Sequence, residues 1–552
     1  MTEFFNTISD AAADKIELFD FLKKKAGFKI EDILLTGTVG GLASTMILVA
    51  VATAVYNMYA GESNLKMFLI FFLLLALMVV TQRVLYHRWV GKLERSVEQT
   101  RNELCEKLIA TDLKTVEYLD KGEVYNRLTQ ELTNISQFGV YLIKGVQAVF
   151  IVLFTSFYIL QVFAPALLII AGLILFASVI YLAIIKKIYS KYEELNRSEI
   201  NYFNWLNDVL YGRKEIKLNA KLRKHILSAG DRISGELKDR KLKIGSLYNK
   251  SIVFTNAFFY FLFGSVVFIL PALYQINTDT LLVLTAVTIY LTDPISNIVS
   301  VVPLFQKVAI SIGFIGQLEN ALDAAYEKED MDNNKIDRFD TIEMKDIKFR
   351  YTVEENEFLL GPVNLTVNKG EITFITGGNG SGKTTLMKIL ASLYKPEEGE
   401  ILIDGKSILS EPNAYRQMFG CIFSDFHLFE KVYGIKKESF PAINERLKQF
   451  NLQDKVGLID NSFSTLNLST GQKKRLAMVV TLAEEKDIYI FDEWAAEQDP
   501  EYRDFFYHEL LKELKNLGKT LIVVSHDERY FDTADRLIRM DFGKINSFVN
   551  KN

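Results

Sequence analysis

Residues 372–385 read Ile-Thr-Phe-Ile-Thr-Gly-Gly-Asn-Gly-Ser-Gly-Lys-Thr-Thr. They make a short β-branched strand, a glycine loop and the start of a helix, with the spacing G-x-x-x-x-G-K-[ST] of a phosphate-binding loop. Gly377, Gly378, Asn379, Gly380, Ser381 and Gly382 let consecutive backbone N–H groups converge on phosphate oxygens without Cβ clashes, and the helix dipole adds positive potential. Lys383 would bring a full charge to the outer phosphates, and Thr384, followed by Thr385, a hydroxyl ligand for Mg²⁺. At average residue usage the pattern arises by chance about 0.02 times in such a chain, so it is read as functional.

Such a loop needs an acid that holds the metal and a group that positions water. The run Asp487-Ile488-Tyr489-Ile490-Phe491-Asp492-Glu493 reads as a buried strand ending in two acids. Asp492 is placed to bind the magnesium water shell. Glu493, just past the strand end, would orient the attacking water or take its proton. Alone, an apolar run ending in Asp-Glu is equally an ordinary strand; the company of Lys383 decides between the two.

The elements that must carry these residues follow from composition. The 552 residues are 49% hydrophobic and 24% charged, with a mean hydropathy of +0.11. That combination predicts a membrane half joined to a soluble half. A net charge of −4 and a pI near 6.0 exclude the basic footprint of a nucleic-acid binder. Cys105 and Cys421 are too few for a disulfide framework or a metal cluster. The start, with Glu3, Asp10 and Asp14, lacks the cationic region of a cleaved signal peptide, so insertion is expected to be driven by the spans themselves.

Apolar stretches of bilayer-spanning length, about 20 residues each, are confined to the first 305 or so positions. Two cover residues 33–59 and 67–90. The stretch between Lys144 and Lys186 holds no charge and accommodates two more around Ala164-Pro165. The last two cover 251–275 and 280–303, the sixth interrupted by Asp293. Lys92, Arg95, Arg101, Lys107 and Lys114 follow span two, and Lys186, Lys187 and Lys191 follow span four. By the positive-inside rule both termini and both long loops face the cytosol. A polar, acidic stretch at 326–340 reads as a linker. From residue 341 onward short strands alternate with helical patterns, as in an α/β domain. The expected fold class is therefore an all-α six-helix transmembrane domain (1–325), then a mixed α/β P-loop nucleotide-binding domain (341–552).

Between the two nucleotide motifs stands Leu468-Ser469-Thr470-Gly471-Gln472, followed by Lys473-Lys474-Arg475. Here the chain resembles the ATP-binding cassette (ABC) family, whose signature is LSGGQ or a close variant. The resemblance implies ATP and Mg²⁺ as ligands, with Ser469, Thr470, Gly471 and Gln472 serving the ATP held by the other subunit. Further matches follow in family order: Asp499 at the D-loop, His526 after the strand 521–525 at the switch histidine, and Tyr351 at the aromatic that stacks on adenine. At the family's glutamine the chain has Ser424, in Cys421-Ile422-Phe423-Ser424-Asp425. Its shorter hydroxyl would need a water, or help from Asp425, to reach the metal. Residues 112–116 and 211–219 resemble the first and second intracellular loops of six-helix ABC exporters.

Within the family the chain resembles bacterial cyclic-peptide and siderophore-peptide exporters, relatives of those serving pyoverdine and syringomycin producers. The residues that carry this are 423–429, 492–500 and 525–531, with Glu497 where that subgroup is expected to have aspartate. The resemblance implies a homodimer in the bacterial inner membrane, in contact with lipid, that moves a small peptide-like substrate outward. Three alternatives stay open: a multidrug or lipid exporter, a siderophore importer on the same fold, and a membrane sensor ATPase that does not transport. For cargo, Asp293 and its neighbour Tyr290 in span six are candidates. Asp293 is equally read as an acid hydrogen-bonded at the Pro294 kink. The run Phe258-Phe259-Tyr260-Phe261 reads as lipid-facing or packing rather than a peptide pocket.

Overall fold

The computed structural model describes residues 30–59, 64–327, 336, 338–353 and 356–550. The amino-terminal residues and most of the 326–340 linker lie outside that set. The chain forms two compact units, residues 1–111 with 118–326, and residues 112–117 with 327–552.

The first unit is helical: α1 (Ile30–Tyr59), α2 (Leu65–Ala110), α4 (Leu132–Tyr211), the short α5 (Arg213–Leu218), α6 (Ala220–Gly264) and α7 (Thr278–Ala324), while the short α3 (Leu113–Tyr118) between α2 and α4 belongs, save Tyr118, to the second unit. Among the described residues, five continuous helical stretches are long and apolar enough to cross a membrane. One of them contains two spans. At about 1.5 Å per residue, the 80 residues of α4 would reach roughly four times the thickness of a hydrocarbon layer. Within α4, Phe163 leaves helical geometry (φ −162°, ψ 95°) two residues before Pro165. Proline removes an N–H and disfavours helical backbone just ahead of it, so the chain divides there into the third and fourth spans. The six expected spans are thus six helical segments.

Their outer faces are apolar: Phe68, Leu69, Phe72 and Leu73 on α2, and Leu168, Leu175 and Phe176 on α4, are exposed. Lipid rather than water suits such a surface. Where helices touch, small residues allow close approach. A Cβ on Gly41 would lie 2.6 Å from the Cβ of Phe150. Ser44 and Thr45 return their hydroxyls to the carbonyls of Gly40 and Gly41, so no polar group is left for lipid to solvate. The aromatic run divides, with Phe259 buried and Tyr260 and Phe261 exposed. Asp293 is exposed on α7 and accepts a hydrogen bond from Asn297 one turn on, at 3.1 Å. Tyr290 has Ser44 and Asp293 as polar neighbours.

The second unit is built on two sheets. An antiparallel one has the order β2-β1-β4-β5, with β1 at Thr341–Val353, β2 at Asn356–Asn368, β4 at Glu398–Ile403 and β5 at Lys406–Ser407. The other runs β10-β9-β3-β8-β7-β6: β3 (Ile372–Gly377), β6 (Phe419–Ile422), β7 (Ile488–Asp492), β8 (Thr520–Val524), β9 (Arg536–Asp541) and β10 (Lys544–Asn550). Strands β9, β3, β8, β7 and β6 are mutually parallel. Side chains alternate between two cores, as a two-faced buried sheet requires. Phe374, Tyr489, Phe491, Leu521 and Val523 point into one, Ile375, Ile488, Ile490, Ile522 and Val524 into the other.

Residues 112–117 belong to this second unit although they follow α2 in sequence. Leu113 packs against its core. The Lys114 ammonium lies 4.7 Å from the Phe349 ring centroid and donates to the Arg350 carbonyl. Glu117 accepts from Lys388 at 2.8 Å and from the Tyr394 hydroxyl. Lys388 sits on α8 (Lys383–Leu390), the helix that the phosphate loop opens.

Phe374 is fully buried on β3 and packs against Tyr507 and Phe531. Phe374→Ala is expected to destabilise the second unit by about 3–5 kcal/mol, read as a downward shift of its thermal transition in the full-length protein.

Candidate nucleotide site

Strand order explains why motifs far apart in sequence meet. β3, β8 and β7 are adjacent and parallel, so their carboxyl ends open on one edge. The phosphate loop leaves β3, Ser525 and His526 leave β8, and Asp492 and Glu493 close β7.

The loop's glycines are required by geometry. Gly377 has φ +151°, and a Cβ there would lie 2.1 Å from the Met540 carbonyl oxygen. Gly382 has φ +94° and opens α8, with Phe358 and Leu360 3.0 Å from where a Cβ would be. Lys383 is buried, and its ammonium donates to the carbonyls of Gly377 and Gly378, both at 3.0 Å. Burial pulls its pKa below the usual lysine range, opposed by Glu493 and Asp492. The Thr384 hydroxyl donates to Asp492 at 2.8 Å. Asp492 is 1% exposed. Burial raises its pKa, the Thr384 hydrogen bond lowers it, and Glu493 and Asp425 raise it further. Hydroxyl and carboxylate side by side are hard oxygen donors of the kind Mg²⁺ takes together with phosphate oxygens, so the residues present fit that ion.

Glu493 sits just past β7 with a left-handed backbone, φ +51°. Its carboxylate Oε1 is 3.2 Å from His526 Nε2. Both face a cavity of about 270 Å³ that is also lined by Ser525, Asp527 and Arg529. Sequence reasoning passed over the group that holds this turn. Lys474 is 5% exposed, and its ammonium donates to the Glu493 carbonyl at 3.0 Å, with Glu497 at 3.5 Å. Its own carbonyl accepts from the Trp494 indole at 2.9 Å. The basic run 473–475 was the available signal, but it does not say which of its members points inward.

Lys474 lies on α9 (Thr470–Ala483), whose start is the signature. The Ser469 hydroxyl accepts from the Gln472 N–H, and the Gln472 side chain accepts from the Ser469 N–H, a reciprocal cap. Thr470 and Gly471 follow in the first turn, and the Gly471 carbonyl accepts from Gln498. Asp499 is exposed and caps the next short helix through the Tyr502 N–H. Ser424 is exposed in the loop after β6, beside Asp425, whose charge reaches Asp492. Tyr351 lies in β1 opposite Phe358, its side chain outside the described residues. Thus Lys383, Thr384, Asp492, Glu493 and His526 come together, while the exposed signature turn caps its own helix.

Residues 360–496 match the ABC transporter family. The ATP-binding protein SyrD of Pseudomonas syringae pv. syringae is 29% identical over 94% of this chain and 93% of its own length. A bacterial Atm1-family ABC exporter with ATP bound superposes with a TM-score of 0.76, covering 96% of this chain and 95% of that one at 18% identity. The cassette region matches that family, and the whole chain takes the fold of an ABC exporter. The chain is also similar to the leukotoxin export protein LtxB of Aggregatibacter actinomycetemcomitans (29% identical) and the alpha-hemolysin translocation protein HlyB of Escherichia coli O157:H7 (31%). Those two matches cover 44% of this chain and 35% of theirs. The chain has the fold of that exporter, and its cassette binds and hydrolyses ATP.

Lys474→Met removes the charged donor to the Glu493 carbonyl, a bond worth about 1.5–3 kcal/mol. ATPase kcat is expected to fall about tenfold with KM for ATP nearly unchanged, and Lys474→Arg to restore most of it. Steady-state kinetics of the purified transporter check both.

Proposed function

We propose that two copies of this chain form an exporter in the bacterial inner membrane that couples ATP hydrolysis to outward movement of a peptide-like compound. The observation that carries this reading is six spanning-length helical segments with a single cassette, on a chain similar to SyrD along nearly its whole length. We assign residues 1–325 to the membrane domain, 326–340 to the linker and 341–552 to the cassette, both termini on the cytosolic side.

One cassette cannot bring its own signature onto its own phosphate loop, so the economical assembly is a two-fold homodimer. In it, each ATP is held by Tyr351, residues 377–385 and Asp492 of one copy, and by Ser469 to Gln472 and Asp499 of the other. Thr384 and Asp492 would hold Mg²⁺, with Ser424 assisting through water and Asp425. A magnesium ion bound there neutralises charge on the phosphates. Glu493 orients the attacking water and receives its proton, while His526 steadies both Glu493 and the γ-phosphate. ATP favours the closed dimer by its differential affinity for the two states. Residues 112–117, held by Lys388 at the far end of the phosphate-loop helix, move with that helix. Tyr290 and Asp293 are the cargo-facing candidates on α7.

Inside-out vesicles supplied with ATP and an extract of the producing cells are expected to accumulate a peptide-like compound, detected by mass spectrometry. Glu493→Gln should cut ATPase by about 10²- to 10⁴-fold and abolish the accumulation. Hydrolysis by the unaltered protein with no compound enriched would turn the assignment to an importer or a sensor.

A further inference from the structure

One cavity in the helical unit lies away from Asp293. It measures about 650 Å³ and is enclosed by residues 122–134, 192–206, 237–241 and 307–314. That volume suits a molecule the size of a short peptide. Its walls are built rather than left over. Tyr125 and Phe203 stack at 5.9 Å with a 13° interplanar angle. Gly122 permits this, since a Cβ there would lie 2.8 Å from the Phe203 ring.

Donors and acceptors in this cavity do not balance. Glu131 is 6% exposed and accepts from Ser311 at 2.5 Å, Asn134 at 3.1 Å and Asn126 at 3.2 Å, so its oxygens are engaged. Glu199 is paired with Lys241 at 2.9 Å. Lys307, half-buried in the same wall, has the Tyr192 ring beside it, 5.9 Å to the centroid, and feels the charges of Glu131 and Glu199 without touching either. Its backbone carbonyl accepts from the Ser311 hydroxyl, but among the described residues its ammonium makes no ion pair and no hydrogen bond. Its ammonium offers three donors with no acceptor, in a pocket whose own carboxylates are occupied. A carboxylate on a ligand supplies what is missing, and the aromatic walls suit amide planes and side chains.

We propose that this cavity is the cytosolic loading site of the exporter, and that it takes a carboxylate-bearing, peptide-like molecule whose carboxylate is anchored by Lys307. The assignment of side and cargo rests on the export reading above. Lys186, Lys187 and Lys191, just before the 192–206 wall, put it at the cytosolic flank of the spans.

The probe is the tripeptide acid acetyl-Tyr-Ser-Gly and its carboxamide, titrated against the full-length protein in lipid nanodiscs. The acid is expected to bind about tenfold or more tightly than the amide, the worth of one charge-assisted anchor. Lys307→Gln should remove that preference by weakening the acid alone, and Lys307→Arg should retain it. Equal binding of acid and amide to the unaltered protein, which needs no variant, overturns the proposal. So does an acid preference that survives in Lys307→Gln. The vesicle assay separates the two readings. Lys307-dependent binding without ATP-driven accumulation of the acid keeps the cavity and removes export. Accumulation equal in the unaltered protein and Lys307→Gln keeps export and removes the cavity.

Discussion

Three parallel strands ending side by side are the constraint on which the rest of this protein's chemistry depends. With β8 between β3 and β7, the loop that cradles phosphate and the carboxylates of β7 open on one edge. Each strand is buried on both faces, so its register is held by two hydrophobic cores at once. A slip of one residue would exchange the faces of every side chain. The distance between the Thr384 hydroxyl and Asp492 is therefore set by the packing of the sheet, and not by either motif alone.

Burying charge at that edge is costly, and the fold offsets the cost with specific partners. Lys383 is held by two carbonyls of its own loop. Asp492 is held by Thr384 and raised by burial. Desolvation makes each group more responsive to a ligand of opposite charge than it would be in water. Lys474 extends the same logic. Its ammonium, buried under the signature helix, fixes the main chain of Glu493 in a left-handed turn that β7 by itself would not hold. The helix that the signature opens thereby steadies the turn that carries Glu493.

The helical unit obeys a different solvent. Hydroxyls such as those of Ser44 and Thr45 bond back to carbonyls one turn earlier, and its outer surface is aliphatic and aromatic. Polar side chains concentrate instead in the cavity around Glu131 and Lys307. There a network of Ser311, Asn134 and Asn126 satisfies the acid and leaves the lysine facing open space.

The sequence by itself determined whatever depends on near neighbours. The phosphate loop is legible because its strand, glycines and helix lie within fourteen consecutive residues, each doing a local job. The spans are legible because a bilayer demands an unbroken apolar stretch, and the division of α4 because the charge-free stretch between Lys144 and Lys186 is about twice the length of one span, with Pro165 at its middle. Ser469 and Gln472 could be read as a helix start for the same reason. Tertiary structure alone decided what depends on groups brought together from distant positions. No local pattern sets Lys474 apart from Lys473 or Arg475 as the one that turns inward to Glu493. None places Asp425 within reach of Asp492, and none groups residues 112–117 with the cassette rather than with the helices on either side of them. Lys307 looks like any charge at the end of a span until four separate segments close around it. The physical reason is that packing, unlike propensity and hydropathy, is a property of pairs, and the pairs that matter here lie 19 to 277 residues apart.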